Sequence, residues 1–452
     1  MSGLPAVLVP HGYRSLPVLQ LAGAASGLCR PVFLVDPSDP DVVATRRLLD
    51  HLGPVVRTDQ PFADLVAELA GHELAGAVAF RDYDLVLVAR LAAALGLRFH
   101  RPEVAERLAD KLTQRRALAS AGLPGPAIVP LLDPSDLEAA AEAARHVDFP
   151  AVLKPRQGSG SYHTFLVEDP GDLARTLGEV SGSAGAPSAM VLEEYLPSMQ
   201  GATDGPFADY VSVETLATSR GLVHVAVTGR TPPVAPFRET GFFLPAGHLD
   251  RAATAAVLST ATAALEALEV TTGCLHTEVK LTPDGPRILE VNGRMGGGIR
   301  DLLLAASGRD LLVDHLRGAL DLPVDCPALL PCQRFGYRFF YQPPVEARRL
   351  VSLSGLRELA SAPGVESVAP HLPPGSTFDP RLGSRSFLFS VVGTAPDLAG
   401  VAAARRQLDD LVEARYELTD DYALAEGGED GRTVGRAPQQ QAALAERRPA
   451  VA

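Results

Sequence analysis

Residues 274–298 read Cys-Leu-His-Thr-Glu-Val-Lys-Leu-Thr-Pro-Asp-Gly-Pro-Arg-Ile-Leu-Glu-Val-Asn-Gly-Arg-Met-Gly-Gly-Gly. The centre, Thr282-Pro283-Asp284-Gly285-Pro286, is turn chemistry, and the alternation on either side predicts a hairpin. Residues two apart on a strand share a face. His276, Glu278 and Lys280 therefore share one, and Ile288, Glu290 and Asn292 share one on the return strand. A turn centred near Asp284 sets Glu278 opposite Glu290 and His276 opposite Asn292. Like charges directly opposite are destabilising unless something neutralises them. Two carboxylates and an amide are oxygen donors that suit Mg²⁺, an ion that keeps waters and substrate phosphates in its shell. Arg294 stands just beyond, where it could meet a phosphate or carboxylate. Gly296-Gly297-Gly298 lets a ligand come close to the backbone. Any hairpin with one wet face alternates in this way; Asn292, Arg294 and the glycines favour a metal site over that reading.

A second group could meet an anion. Phe149-Pro150-Ala151-Val152-Leu153-Lys154-Pro155 is an apolar strand carrying one lysine, and it enters the loop Gln157-Gly158-Ser159-Gly160-Ser161. A buried lysine is costly unless an anion meets it, although at a strand end it can also reach water. Successive N–H groups of a Gly-Ser-Gly loop can cradle phosphate oxygens, but such turns join many strands. The loop is neither a P-loop nor a complete G-x-G-x-x-G. Lys111 lies on the preceding helix and alone reads as part of a solvated face. Glu193-Glu194-Tyr195-Leu196 reads as a polar strand end.

The elements that must hold these residues alternate. Short buried runs at 6–9, 31–35, 55–56 and 77–80, with a helix over 16–28 between the first two, predict a doubly wound α/β domain over residues 1–105. One helix is expected over 103–121, stopped by Gly122 and Pro124. Strands are expected at 164–167, 191–196, 210–216 and 222–228, and a helix at 251–269. A strand at 335–341 opens a C-terminal α+β piece with a strand at 387–392 and a helix at 398–414. Residues 426–452, rich in Gly, Glu, Arg, Gln and Ala, are expected to be mobile.

Composition narrows the class. Of 452 residues, 46% are hydrophobic and 21% charged, so the chain is globular rather than disordered. A formal charge of −13 and the lack of a basic stripe argue against nucleic acid as a partner. Arg115-Arg116 and Arg348-Arg349 read as solvated helix faces. Cys29, Cys274, Cys326 and Cys332 form no C-x-x-C and read as structural thiols. No basic leader and no membrane-length apolar run is visible, so a cytoplasmic protein with no membrane partner is expected.

The order Lys111, Lys154–Gly160, Glu193–Leu196, Glu278, Glu290-x-Asn292-x-Arg294 resembles the ATP-grasp superfamily. Within it the pattern, with Glu239-Thr240-Gly241 ahead of Pro245, looks most like the carboxylate–amine ligases of the bacilysin-type dipeptide synthetase group. The resemblance covers about residues 1–420, most specifically 105–300. It implies an ATP-grasp lid subdomain (106–190), a catalytic subdomain (191–330) and a small C-terminal α+β subdomain (331–425). ATP would lie between two α+β subdomains. Lys111 and Lys154 would contact its phosphates, with Gly158, Ser159, Gly160 and Ser161 closing over them. The segment Glu193, Glu194, Tyr195 and Leu196 would hold the adenine. Glu278, Glu290 and Asn292 would bind Mg²⁺, for which Mn²⁺ is a substitute. Glu278, Glu290 and Arg294 would be catalytic, Arg294 stabilising the transferred phosphoryl group. Glu239, His276, Arg294 and Gly297 would contact substrate. The family's ribose-binding acid has no clear counterpart; Asp204, Asp209 and Glu214 are the candidates.

The activity so implied is ATP-dependent joining of a small-molecule carboxylate to an amine through an acyl phosphate, with an amino acid as one substrate. Such ligases are often homodimers. The alternatives are an ATP-grasp enzyme of another reaction, such as bicarbonate activation or a purine-type ligase, or an ATP-binding protein that has lost catalysis.

Overall fold

A computed structural model describes residues 3–183, 185–198 and 205–418. Asp204 and the tail 426–452 lie outside them. The first sheet is parallel. Its strands β1 (Ala6–His11), β2 (Arg30–Val35), β3 (Val55–Arg57) and β4 (Leu74–Ala77) stand in the order β3-β2-β1-β4. β1 is buried along its whole length, as a strand covered by helices on both faces must be. β4 ends at Ala77, where the run 77–80 was expected to be the strand. Val78 and Ala79 are still buried, and the chain then turns so that Asp82 emerges past the carboxyl end of the sheet.

The single helix expected over 103–121 is two, Pro102–Ala109 and Lys111–Ser120. Asp110 sits between them in extended backbone, and its carboxylate caps the second helix by accepting from Thr113 N at 2.9 Å. An aspartate that can satisfy an orphan N–H competes well with helix continuation. The break starts the second helix at Lys111. It also places Lys111 and Arg115 one turn apart on the same face.

The second sheet is antiparallel. It contains β5 (Ile128–Leu131), β6 (Ala151–Pro155), β7 (Phe165–Val167) and β8 (Met190–Glu194) in the order β5-β8-β6-β7. Helices Leu137–Ala143 and Pro170–Ser181 cover one face through Leu153, Val167, Leu173, Leu177 and Leu192. β8 thus stands in this sheet, past the division expected at residue 190.

The remaining strands are β9 (Tyr210–Thr218), β10 (Gly221–Arg230), β11 (Gly241–Leu244), β12 (Gly273–Thr282), β13 (Gly285–Asn292), β14 (Phe335–Phe340), β15 (Ala347–Ser354), β16 (Val365–Pro370), β17 (Phe389–Ala395) and β18 (Glu413–Leu418). Eight of them form one sheet, β13-β12-β9-β10-β11-β14-β17-β16, while β15 pairs with β18. Strands before and after residue 330 therefore share a sheet. Arg348 and Arg349 lie on β15, not on a helix. Helix Arg251–Ala267 packs on one face of the large sheet against Val213, Leu275, Val279 and Val291. The opposite face of β12 and β13 is left for polar side chains.

Candidate active site

The β12–β13 register pairs Glu278 with Glu290 and His276 with Asn292. It then slips by one residue, so that Val279 faces Ile288. Leu289 is the extra residue of the bulge. Ile288, expected on the face of Glu290, is 2% exposed and packs in the apolar core with Val279 and Val291. Leu289 turns to the cavity instead. A bulge re-aims side chains in this way, and alternation alone does not reveal it.

The two facing carboxylates are neutralised from different directions. Glu290 meets Lys111 Nζ at 2.9 Å. Burial works against the Lys111 charge, but Glu290 keeps its pKa above the ordinary value. Glu278 Oε1 lies 3.5 Å from His276 Nε2 and 4.0 Å from Arg230 Nη2. Burial raises the Glu278 carboxyl, while donation from His276 and the Arg230 charge outweigh it and bring it to about 2. Asn292 Oδ1 accepts from Arg294 Nη2 at 3.3 Å. Arg294 is in turn gripped by Asp82, which takes Nε at 3.0 Å and Nη2 at 2.9 Å. Asp82 was not singled out in the sequence; its only signal is its place just after a buried run.

Behind these groups lies a buried network. Glu214, 1% exposed, accepts from His276 Nδ1 at 2.9 Å and from Ser212 Oγ at 3.0 Å. Burial disfavours the imidazolium, but the Glu214 charge raises His276 to about 9. Arg230, 3% exposed, donates to Glu239 Oε1 at 2.6 Å and lies 3.0 Å from His276 Nε2. Nε2 accepts from Arg230 when the ring is neutral and faces Glu278 as a donor when it is charged. Glu214 is thereby spent on His276, leaving it unfit as a ribose acid. Asp209, on the cavity wall, ion-pairs with Lys280 at 2.6 Å.

Across the cavity, β6 and β8 set Lys154 diagonal to Glu193. Glu193, 4% exposed, is clasped between Lys154 and Arg115, the latter at 2.7 Å. Burial raises its carboxyl, and the two cations more than reverse that. Arg115 is not the solvated residue expected. It is 6% exposed and also donates to the carbonyls of Ile288 at 2.8 Å and Leu289 at 3.1 Å. One helix thus ties the two sheets together, Lys111 to Glu290 and Arg115 to Glu193. The Glu193 carboxylate accepts from both cations and also lines the cavity.

The glycine loop is tethered on both sides. Lys111 Nζ donates to Gly158 O at 2.8 Å and Ser161 Oγ to Phe237 O at 2.7 Å, and Ser384 N donates to Gly160 O at 2.9 Å. Of the three glycines after Arg294, two are required by packing. A Cβ on Gly296 would lie 2.5 Å from His276 Nδ1, and one on Gly298 would lie 2.6 Å from Arg338 Nη1 at a φ of +78°. Gly297 faces open space.

The ATP, metal and substrate residues that the resemblance implies line one cavity of about 1940 Å³. They are Lys111, Lys154, Gly158, Ser159, Gly160, Ser161, Glu193, Glu194, Tyr195, Leu196, Glu239, His276, Glu278, Glu290, Asn292, Arg294 and Gly297. A single ligand pocket spans roughly 300–1,000 Å³, so there is room for more than a nucleotide. For a divalent cation, Glu278, Glu290 and Asn292 offer three oxygen donors, the chemistry that Mg²⁺ takes. Among the described residues no group of three or more His, Cys, Asp or Glu side chains is placed to hold a metal. The donor set fits an ion that completes its shell with phosphate oxygens and water, and not one caged by protein alone.

Residues 147–301 match the ATP-grasp domain family. Carnosine synthase 1 of Homo sapiens is 34% identical over 280 residues, covering 57% of this chain and 32% of that protein. The chain therefore spans about a third of the length of that relative. The crystal structure of L-amino acid ligase from Bacillus licheniformis superposes with a TM-score of 0.70 at 20% identity, covering 91% of this chain and 98% of the other. Carboxyaminoimidazole ribonucleotide synthase from Aspergillus clavatus, solved with ATP, gives a TM-score of 0.69 at 15% identity, covering 91% and 99%. Residues 147–301 thus match an ATP-grasp domain, and the doubly wound domain, the two facing sheets and the cavity between them share the fold of these structures. No described helix is long and apolar enough to cross a membrane.

Proposed function

We propose that the protein is an ATP-dependent carboxylate–amine ligase. The observation that carries this reading is the Glu278–Glu290 pair, with Asn292 and Arg294 beyond it, facing Lys154 and the glycine loop across one cavity. The relatives named carnosine synthase and L-amino acid ligase support the choice of reaction within the fold.

The adenine lies at the strand end Glu194–Leu196, where Val152 and Leu289 also line the cavity. Lys154 and Lys111 hold phosphate oxygens, and the N–H groups of 158–161 cover them. Glu278, Glu290 and Asn292 hold Mg²⁺, which when bound neutralises phosphate charge. Arg294, aimed by Asp82, stabilises the phosphoryl group as it leaves ADP for the substrate carboxylate. The acyl phosphate is attacked by the amine; the C–N bond forms, the C–O bond breaks, and phosphate leaves. Positioning and charge neutralisation dominate such transfers.

The test is incubation with Mg-ATP, single amino acids and hydroxylamine as a general amine, following phosphate and hydroxamate together. Hydroxamate with a given acid identifies the activated carboxylate, and Glu290→Gln is expected to abolish both signals. Phosphate release at a near-normal rate in Glu290→Gln overturns the assignment.

A further inference from the structure

The N–H groups of 158–161 can cover phosphates only if something holds the loop in place. What holds it comes from far along the chain. The segment Pro380–Ser386 lies directly on the loop. Two backbone hydrogen bonds join them: His163 N donates to Arg381 O at 2.8 Å, and Ser384 N donates to Gly160 O at 2.9 Å. The Arg385 guanidinium lies 4.6 Å over the Tyr162 ring. Loops ordinarily run over the surface, yet His163 is 2% exposed.

The approach is this close because of one residue. Gly383 has a φ of 61° and a ψ of −139°, outside the wells open to residues with a side chain. A Cβ there would stand 2.4 Å from the carbonyl carbon and oxygen of Ser161 and 2.5 Å from Gly160 O. Those are backbone atoms, and they cannot swing aside as the end of a side chain can. The loop is itself tightly wound. Ser161 and His163 have φ values of +56° and +46°. Residues with side chains keep such angles only where the surroundings over-determine them. The bonds from the segment supply that constraint.

The same segment reaches the other half of the cavity through Ser384. Its N–H serves the loop, while its Oγ accepts from Glu239 N at 2.8 Å. Gln342 Nε2 donates to Glu239 O at 2.7 Å, and Arg230 holds the Glu239 carboxylate at 2.6 Å. Two residues earlier, Phe237 O accepts from Ser161 Oγ at 2.7 Å. The loop on the nucleotide side and the stretch 237–239 are thus fastened to each other. Neither Gly383 nor Ser384 lines the cavity.

We infer that Pro380–Ser386 is a clasp that couples the two halves of the cavity: Gly383 lets the phosphate loop close, and Ser384 transmits the closure to Glu239. Both are positioning residues and touch neither nucleotide nor substrate. The inference rests on the ATP-dependent ligase reading and adds a regulation to it. Nucleotide and the substrate that meets Glu239 both favour the closed clasp, so each tightens the binding of the other by the same factor.

The test is hydrogen exchange on the full chain with Mg²⁺ and the imido analogue of ATP, which binds without being hydrolysed. The nucleotide should slow exchange together in the peptides that cover His163, Ser384 and Glu239, because closure forms all three bonds. Ser384→Ala keeps the N–H and removes the Oγ. Its protection should persist at His163 and at residue 384 and vanish at Glu239. Gly383→Val should raise the KM for ATP by about 10- to 100-fold, the worth of one strained backbone position, with kcat changed less. The thermal midpoint of the nucleotide-free variant should stay close to that of the parent chain, which a glycine needed only for folding would not allow. If that midpoint also falls, the exchange patterns of the parent chain and of Ser384→Ala decide. Protection at His163 without protection at Glu239 in the parent chain, or an unchanged KM for ATP in a folded Gly383→Val, overturns the inference. Shared protection without hydroxamate from any acid fails the ligase reading alone. Hydroxamate formation with uncoupled exchange fails the inference alone.

Discussion

The two strand pairs that face the cavity handle charge in opposite ways. On β6 and β8, Lys154 and Glu193 neutralise each other, and Arg115 completes a buried triad in which Glu193 is 4% exposed. On β12 and β13, two glutamates stand directly opposite one another. Their cations come from elsewhere: Lys111 from a helix, and Arg230 from β10. The first pair is matched within itself, and with Arg115 it carries one surplus cationic charge. The second is held in a like-charged arrangement that tertiary structure tolerates and a cationic ligand would relieve. The difference separates a group that mainly holds the cavity in shape from one that has capacity left for chemistry.

The largest expected effect tests the first half of that comparison. Glu193→Gln leaves Arg115 buried without its counter-charge and should destabilise the fold by about 3–5 kcal/mol, read from denaturant unfolding. A loss of activity with unchanged stability would make Glu193 a ligand-binding group and erase the contrast. Glu290→Gln should do the reverse. It should cost about 10²–10³-fold in kcat while the denaturation midpoint falls far less than in Glu193→Gln. Asp82→Asn sharpens the point, because Asp82 touches only Arg294 in the site. Weakening the hold of its Oδ2, which accepts both Arg294 donors, should lower kcat by about 10- to 100-fold, with the KM for ATP nearly unchanged, in steady-state assays.

The smallest effect lies away from both pairs. His100 and His315 are 3% and 4% exposed, and burial lowers each to about 4. A histidine that is neutral when folded and charged when unfolded stabilises fully above its unfolded pKa of 6.5. That stability is lost as the pH falls toward 4. At about pH 5.5 each should cost about 1 kcal/mol. His315→Gln should flatten the slope of stability between these limits, and an unchanged slope would remove this account.

Much of the site was legible because strand alternation is a local rule. The pairing of Glu278 with Glu290 and of His276 with Asn292 follows from the turn at Pro283-Asp284 and a two-residue period. The slip at Leu289 was not legible, since it depends on which side chain the core accepts; Ile288 went inward and Leu289 outward. The break at Asp110 carried a local signal, an aspartate three residues before Thr113, that a continuous helical pattern overrode. Arg115 was misread for a different reason. An arginine on a helix looks solvated until a partner such as Glu193, 78 positions away, is brought to it.

By itself the sequence determined the alternation of elements, the hairpin and its facing carboxylates, the lysine strand with its glycine loop, and the resemblance that these carry together. All are local patterns, set by backbone geometry and side-chain period. Tertiary structure alone decided which charges are spent. Lys111 went to Glu290, Arg115 to Glu193, Asp82 to Arg294 and Glu214 to His276, each across a long stretch of chain. Charge pairing in a low-dielectric interior depends on distance in space and on burial, and neither is a property of the chain order.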